Sequence, residues 1–521
     1  MKESNPSVFV GVDAGTTGVT VALFDAEGQE LGSGYREYPC LHPHPGWVEQ
    51  DMTVVWQSIC AASRAAVAKA EVSSERIRSL GVSSQRGTFA LLDGDELPLG
   101  PAVVWNDSRA KEMEDVIAGR IARERYRTIV GMPLSSSWAV AKIAWLNRHR
   151  PELMAKTRWI VNGQEYFLHL MGAKGFETDP ASLTLNGMMD IRRLDWSPAI
   201  LEAAGIKRDL LPPVGTPGAK VGNLSPEAAT AMSLPAGLPI CRGAGDQQCA
   251  AVGAGVIHQG MAEITIGTAA MMVAHLDDPD LVTGPAPYIG GHGIPGKWDL
   301  EGGAFAIGSC LRWWRDHLGR TESEAAERLG LSAYDLMVAQ ALAAPPGSRG
   351  AIFQPFFAGQ VTPYYDVTAR GGFLGLGLHH DRACLIRALL EGCSCELRLM
   401  VEAFDRDMSG GIRDLRLTGG GTKSAAFVQI MADVIGRPVT LLRTRECTVL
   451  GAAILGALGA DEFPDIETAV EAMVKVDSIT EPSQGLRGLY DDLFQLFKEA
   501  YEQTAGTGIY QRIYDYQQAW F

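Results

Sequence analysis

Two short glycine–threonine runs carry the first sign of chemistry in this sequence. Val8 to Asp25, VFVGVDAGTTGVTVALFD, sets small and polar residues between two stretches rich in β-branched and aromatic side chains. That pattern predicts a strand over Val8–Val12, a tight turn over Asp13–Gly18 and a second strand over Val19–Phe24. Gly15 and Gly18 open backbone angles closed to other residues, so the turn can press its N–H groups against a ligand, and Thr16 and Thr17 add hydroxyls. Donors crowded at such a tip suit phosphate. Asp13 then places a carboxylate beside phosphates, which makes sense if a divalent cation lies between them. A plain hairpin turn with a capping Asp is the alternative. A second copy, MAEITIGTAAMMVAHLD, runs through Gly267 and Thr268 about 250 residues later. The repeat predicts two related halves that aim their hairpin tips at one ligand in a shared cleft.

A further acidic candidate is Asp246. Leu238–Cys241 reads as a strand, followed by Gly243-Ala244-Gly245-Asp246-Gln247-Gln248 and a small-residue helix over Cys249–Val256. An Asp set off by glycines on a strand-to-helix loop, next to a helix N-terminus, is a candidate general base; helix capping is the alternative. Two polar knots follow predicted strands. Ile77–Ser84 runs into Gln85-Arg86-Gly87, and Val103-Val104 into Trp105-Asn106-Asp107-Ser108-Arg109. Aromatic, amide, carboxylate and guanidinium groups together suit a ligand rich in hydroxyls, with salt-bridged loops as the alternative. Leu415–Thr418 leads into Gly419-Gly420-Gly421-Thr422. It lacks P-loop spacing and reads as a shelf on which adenine or ribose can lie flat. His42 and His44 occur in a turn-rich stretch without a third ligand nearby, so a surface loop is favoured there over a metal site.

The elements that must position these groups are legible as a mixed α/β pattern. Met52–Ala70 has helical spacing, Lys111–Lys156 reads as mainly helical with a break at Gly131-Met132-Pro133, and Ala383–Phe404 reads as another helix. Glu301-Gly302-Gly303 reads as a glycine knot before a helix carrying Trp313 and Trp314, and the stretch from Asp477 onward has no readable motif. A chain of 521 residues with 46% hydrophobic and 21% charged residues is long enough for several cores. Its formal charge of −15 speaks against nucleic acid or an anionic membrane as the main partner. Nine cysteines without C-x-x-C pairs predict reduced thiols. The polar Met1–Ser7 and the short, glycine-broken apolar tracts predict neither a signal peptide nor a membrane span, hence a cytoplasmic protein.

Taken together, these residues resemble the FGGY family of carbohydrate kinases, in their order along the chain from Val8 to about Ala460. The resemblance implies a two-lobed α/β fold of the actin, Hsp70 and hexokinase (ribonuclease H-like) group, duplicated, with an interdomain cleft. It divides the chain into an N-terminal domain (1–256), a C-terminal domain (257–476) and a tail (477–521). It implies ATP and Mg2+ as cofactors, with Asp13, Gly15, Thr16, Thr17, Gly267 and Thr268 facing the phosphates, and Asp13 holding magnesium through water. Gly419, Gly420, Gly421 and Thr422 would hold the nucleoside, and Asp246 would be the catalytic base. Gln85, Arg86, Trp105, Asn106, Asp107, Arg109 and Gln247 would bind the acceptor. Trp105 to Arg109 is similar to the xylulokinase branch, but Gly87 stands where that branch carries a sugar-contacting His. Gly87, Ser137 and Met271 depart from the glycerol kinase pattern. Ile294-Pro295-Gly296 and Trp314-Arg315-Asp316 are similar to autoinducer-2 kinases. The expectation is ATP-dependent phosphorylation of a ketopentose such as xylulose by a protein compatible with a homodimer. Ribulose, glycerol and autoinducer-2 are alternative acceptors, and a sugar or nucleotide sensor that kept the fold without catalysis is the alternative outside enzymes.

Overall fold

The computed structural model describes residues 7–284 and 288–520. Its two halves repeat one strand order. In the first lobe the hairpin Val8–Ala14 and Gly18–Asp25 pairs in antiparallel register, Asp13 opposite Thr20, and Glu30–Glu37 extends it antiparallel on one side. On the other side Ile77–Ser84 and Pro239–Gly245 run parallel, and Lys220–Asn223 closes the edge antiparallel. In the second lobe the hairpin Met261–Ile266 and Ala270–Leu276 is flanked by antiparallel Trp298–Ala304. Asp414–Thr418 and Val439–Leu442 then run parallel, and Val476–Thr480 closes the edge antiparallel. Tyr288–Gly291 is an extra outer strand. The duplication read from two glycine–threonine runs is therefore a duplication of whole sheets.

The boundary expected at residue 476 falls at the last strand of that order. Val476–Thr480 lies across it and is the counterpart of Lys220–Asn223, so the second half of the repeat reaches at least Thr480. The segment beyond is folded as well. Helix Arg487–Gly506 buries Tyr490, Leu493, Phe494, Phe497 and Tyr501 in the second lobe's core, and Ile509–Trp520 adds Tyr510. Apolar residues spaced three and four apart give each helix one inward stripe.

The first lobe also carries an insertion with its own hydrophobic cluster. A four-stranded sheet, ordered Glu49–Gln50, Ala102–Val103, Phe89–Leu92 and Trp159–Asn162, packs with helices that include Arg123–Val130 and Ala139–His149. This insertion holds the Trp105 knot. Helix Met52–Ala70 has the expected bounds and starts where Asp51 accepts the N–H groups of Thr53 and Val54 as a side-chain cap.

The lobes meet along small residues. Helix Cys447–Gly459 of the second half lies against the first-lobe sheet and against helix Asp246–Gly253. A Cβ added at Gly253 would stand 1.9 Å from the Cys447 carbonyl oxygen, and one at Gly451 would stand 1.8 Å from that of Cys249. Only glycine permits that crossing. His42 and His44 lie in an exposed loop in which the His44 ring packs edge-on against Trp47. All nine cysteines are free thiols. Among the described residues no helix is long and apolar enough to cross a membrane.

Candidate active site

Each hairpin tip is braced from below, which leaves its outward backbone groups for a ligand. At the first tip Gly15 N–H bonds to Gly18 O at 3.0 Å, while the Tyr38 hydroxyl donates to the carbonyls of Gly15 (2.6 Å) and Gly18 (3.2 Å). The Gln50 amide donates to Thr16 O at 2.5 Å, and the Trp105 indole N–H donates to Thr16 Oγ1 at 2.9 Å. At the second tip Gly267 N–H bonds to Ala269 O, Ser309 N–H to Thr268 O, and Arg312 Nη2 donates to Thr268 Oγ1 at 3.2 Å. The triple glycine sits directly on this hairpin. Gly419, at φ +79°, is so close to Ile266 that a Cβ would stand 2.7 Å from its carbonyl oxygen, whereas a Cβ on Gly420 would meet nothing within 4 Å. Thr422 Oγ1 donates back to Gly419 O at 2.8 Å. The structure thus brings Gly267 and Thr268 together with the shelf of Gly419–Thr422.

Carboxylates converge between the lobes. Asp13 accepts from Ser83 Oγ at 3.2 Å, and desolvation, with Asp246 and Glu446 nearby, pushes its pKa up to about 7 despite that bond. Asp246 follows directly on strand Pro239–Gly245 as the first residue of helix Asp246–Gly253. This corrects the helix start expected at Cys249; no loop intervenes. Its Oδ1 accepts from Gln247 N–H at 3.0 Å and from Arg86 Nε at 3.3 Å, and its side chain is 28% exposed, so a ligand can reach it. Desolvation raises the Asp246 pKa and Arg86 opposes that shift. Asp246 and Glu446 raise the proton affinity of Asp13, a repulsion that a cation beside Asp13 would offset, while among the described residues no group of three His, Cys, Asp or Glu side chains is placed to hold a metal ion by itself.

Arg86 reaches across to the second lobe. Its Nη1 and Nη2 donate to Glu301 Oε1 and Oε2 at 2.6 and 2.7 Å, and Glu301 also accepts from the Gln248 amide at 3.0 Å. The same amide bonds Asp299 Oδ2 at 2.7 Å. Glu301 corrects the expected glycine knot, because it lies inside strand Trp298–Ala304. Gln247 Oε1 is buried without a partner, an acceptor beside Asp246 that a hydroxyl would satisfy.

The Trp105 knot divides in two. Trp105 is half-buried and Asn106 exposed, while Asp107 and Arg109 turn away into the insertion. Asp107 accepts from Val48 N–H at 2.6 Å and from Arg109 N, Nε and Nη2; Arg109 also bonds Glu49 and lies 3.8 Å over the Trp47 ring. With those groups engaged, the pair braces the loop. Gln85 donates to Gln50 Oε1 at 2.7 Å, while its own Oε1 is buried without a partner. Lys142, fully buried, donates to the carbonyls of Val104 (2.9 Å) and Trp105, and desolvation lowers its pKa to about 7.

Sequence reasoning missed Ser83, Gln248, Asp299, Arg312 and Lys142 as parts of the site. For Lys142 there was a signal, a lone cation on the apolar face of helix Ala139–His149. For Arg312 and Asp299 there was none, since their partners stand more than forty residues away or on another strand.

Comparison with known proteins decides the family. Residues 8–253 match the N-terminal domain of the FGGY family of carbohydrate kinases, and residues 262–460 match its C-terminal domain. The chain belongs to the FGGY family of carbohydrate kinases. As such it is a phosphotransferase that uses ATP and a sugar or polyol. It is 31% identical over 515 residues to autoinducer-2 kinase of Klebsiella pneumoniae, covering 96% of this chain and 94% of that one. It is 30% identical to autoinducer-2 kinase of Escherichia coli strain K12, covering 95% and 94%. Among solved structures, xylulose kinase from Rhodospirillum rubrum superposes with a TM-score of 0.84 at 26% identity, covering 96% of this kinase and 99% of that chain. The fold is shared with glycerol kinase of Plasmodium falciparum with ADP, at a TM-score of 0.83, 22% identity and coverage of 96% and 98%.

Proposed function

We propose that this kinase transfers the γ-phosphoryl group of ATP to a hydroxyl of a small linear sugar, a ketopentose such as xylulose, with Asp246 as general base. The observation that carries the reading is the reachable Asp246 carboxylate held beside Arg86 between the two lobes. Asp246 accepts the hydroxyl proton as the acceptor oxygen bonds to the γ-phosphorus in line and the bond to the β-phosphate oxygen breaks, releasing ADP. Backbone N–H groups of Thr16, Thr17 and Thr268 meet the phosphates on tips that Gly15 and Gly267 shape, and Gly419–Thr422 carry the nucleoside. Asp13 would hold Mg2+ through water; the ion supplies charge neutralisation at the phosphates. Arg86, Trp105, Asn106 and Gln247 meet the acceptor, and a guanidinium beside the base suits a carbonyl next to the reacting hydroxyl. Most of the catalysis is positioning and electrostatics.

A second reading, an autoinducer-2-type acceptor, is favoured by the near-full-length similarity to autoinducer-2 kinases. An ADP-release assay with xylulose, ribulose, glycerol and autoinducer-2 separates the two. Xylulose is expected to show the highest kcat/KM and glycerol a value lower by about tenfold to a hundredfold for each hydrogen-bonding group it lacks. Higher efficiency with autoinducer-2 transfers the proposal to the second reading. Higher efficiency with glycerol than with either pentulose contradicts the ketose assignment, and no ADP release with any acceptor contradicts catalysis.

A further inference from the structure

Arg86 ends the strand Ile77–Ser84 in the first lobe, and Glu301 lies within Trp298–Ala304 in the second. Both side chains are 2% exposed, and two parallel N–H bonds join them across the cleft. Gln248 fixes the far side of this carboxylate through Oε1. Each terminal nitrogen of Arg86 donates once to Glu301, and only Nε donates to Asp246, by the longest of the three bonds at 3.3 Å. A guanidinium favours two parallel bonds to one carboxylate. Released from Glu301, Arg86 already stands within reach of a second carboxylate, the one that must accept a proton.

We propose that Glu301 is a positioning residue: it holds the Arg86 guanidinium across the cleft and keeps it from closing a two-bond pair with Asp246. The inference rests on Asp246 being the base. It explains why a cation can be stationed beside a base without disabling it, since a second charge-assisted bond would occupy a lone pair on the other carboxylate oxygen and lower the basicity of the group further. The charged groups facing Asp246 are Arg86, which lowers its proton affinity, and Glu301, which raises it; Asp13, one strand further across the sheet, and Glu446 also lie in this group of charges. Removing the Glu301 charge takes away a neighbour that raises that affinity and frees one that lowers it. Both changes have the same sign.

The test is the pH profile of kcat/KM for full-length wild type and Glu301→Gln, using the acceptor with the highest efficiency in the panel above and saturating Mg2+-ATP. Glu301→Gln is expected to lower kcat by about tenfold or more and to move the acid limb to lower pH, alongside whatever rise in acceptor KM follows from moving Arg86. Glu301→Asp keeps the charge but withdraws it by one methylene; it is expected to move the limb the same way by less, and it serves if Glu301→Gln does not fold. An unmoved or upward-moved acid limb in both variants overturns the proposal, as does a loss confined to acceptor KM. Asp246→Asn is measured alongside. If it keeps near-normal turnover, the base assignment has failed; if it is inactive while the limb of Glu301→Gln stays in place, the base stands and the positioning role alone is overturned.

Discussion

At the scale of single residues, the site is a set of carboxylates held where they are poorly hydrated. Asp13 is pushed from its ordinary 3.8 up to about 7 by desolvation and by Asp246 and Glu446. Two buried carboxylates behave alike. Desolvation takes Glu263, under the second hairpin with the Thr265 and Thr418 hydroxyls, up to about 8 and Glu165 up to about 7. The sign follows from proton linkage. A carboxyl whose folded-state pKa lies above its unfolded value contributes stability below about pH 4, and that contribution is lost as pH rises through the folded value. These three carboxyls are therefore expected to lower the melting temperature of the ligand-free protein between pH 6 and pH 7, above which Lys142, with its pKa lowered to about 7, adds stability as pH rises and opposes them. Asp13→Asn is expected to flatten part of that slope, leaving the share due to Glu263 and Glu165. Mg2+-ATP at pH 8 should then raise the Tm of wild type more than that of the variant. Melting curves of the two proteins that stay parallel across this range, with equal response to Mg2+-ATP, would contradict Asp13 as the cation-facing carboxylate.

At the scale of elements, the loop after Ala102–Val103 is a strut between the acceptor side and the phosphate side. Lys142 fixes its carbonyls, the Asp107–Arg109 pair fixes its far end, and the Trp105 N–H anchors Thr16 on the first hairpin tip. Trp105→Phe keeps a flat apolar face but deletes that anchor. One neutral hydrogen bond contributes about 1 kcal/mol, so kcat is expected to fall by about fivefold to tenfold while acceptor KM stays within about threefold. Steady-state kinetics showing the reverse, a raised KM with unchanged kcat, would make Trp105 a contact for the acceptor alone. This loop also shows where sequence stops being informative. Both hairpins were legible because β-branched residues flank glycine and threonine. The run Trp105 to Arg109 gave residue types suited to a sugar but not their partners, and for Asp107 and Arg109 those are Trp47, Val48 and Glu49, nearly sixty positions earlier. Gly302 and Gly303 suggested a bend beside Glu301. They are instead close approaches inside a strand, where a Cβ would stand 2.8 Å from the Phe404 ring and 2.8 Å from the Met271 sulfur. A sequence does not distinguish a glycine needed for a turn from one needed for contact.

At the scale of the whole molecule, two copies of one sheet face each other, and the chemistry lies where they meet. The first lobe supplies Asp13, Arg86 and Asp246; the second supplies Glu301, the second hairpin and the glycine shelf. Helix Cys447–Gly459 ties them through glycine-to-backbone contacts, and the last forty-odd residues complete the second core. The duplication was legible from two short runs, but the folding of the C-terminal segment was not, because its stripe of Tyr490, Phe494, Phe497 and Tyr501 has no motif and acquires meaning only against the core it covers. The proposed reaction needs one proton acceptor, Asp246. The most direct test is the initial rate of ADP and phosphosugar formation by Asp246→Asn beside wild type, at saturating Mg2+-ATP and acceptor. The amide keeps the shape of the side chain but cannot take the proton, so kcat is expected to fall by about 10² to 10⁴ with acceptor affinity changed by no more than a few-fold. Turnover within a few-fold of wild type would contradict the account.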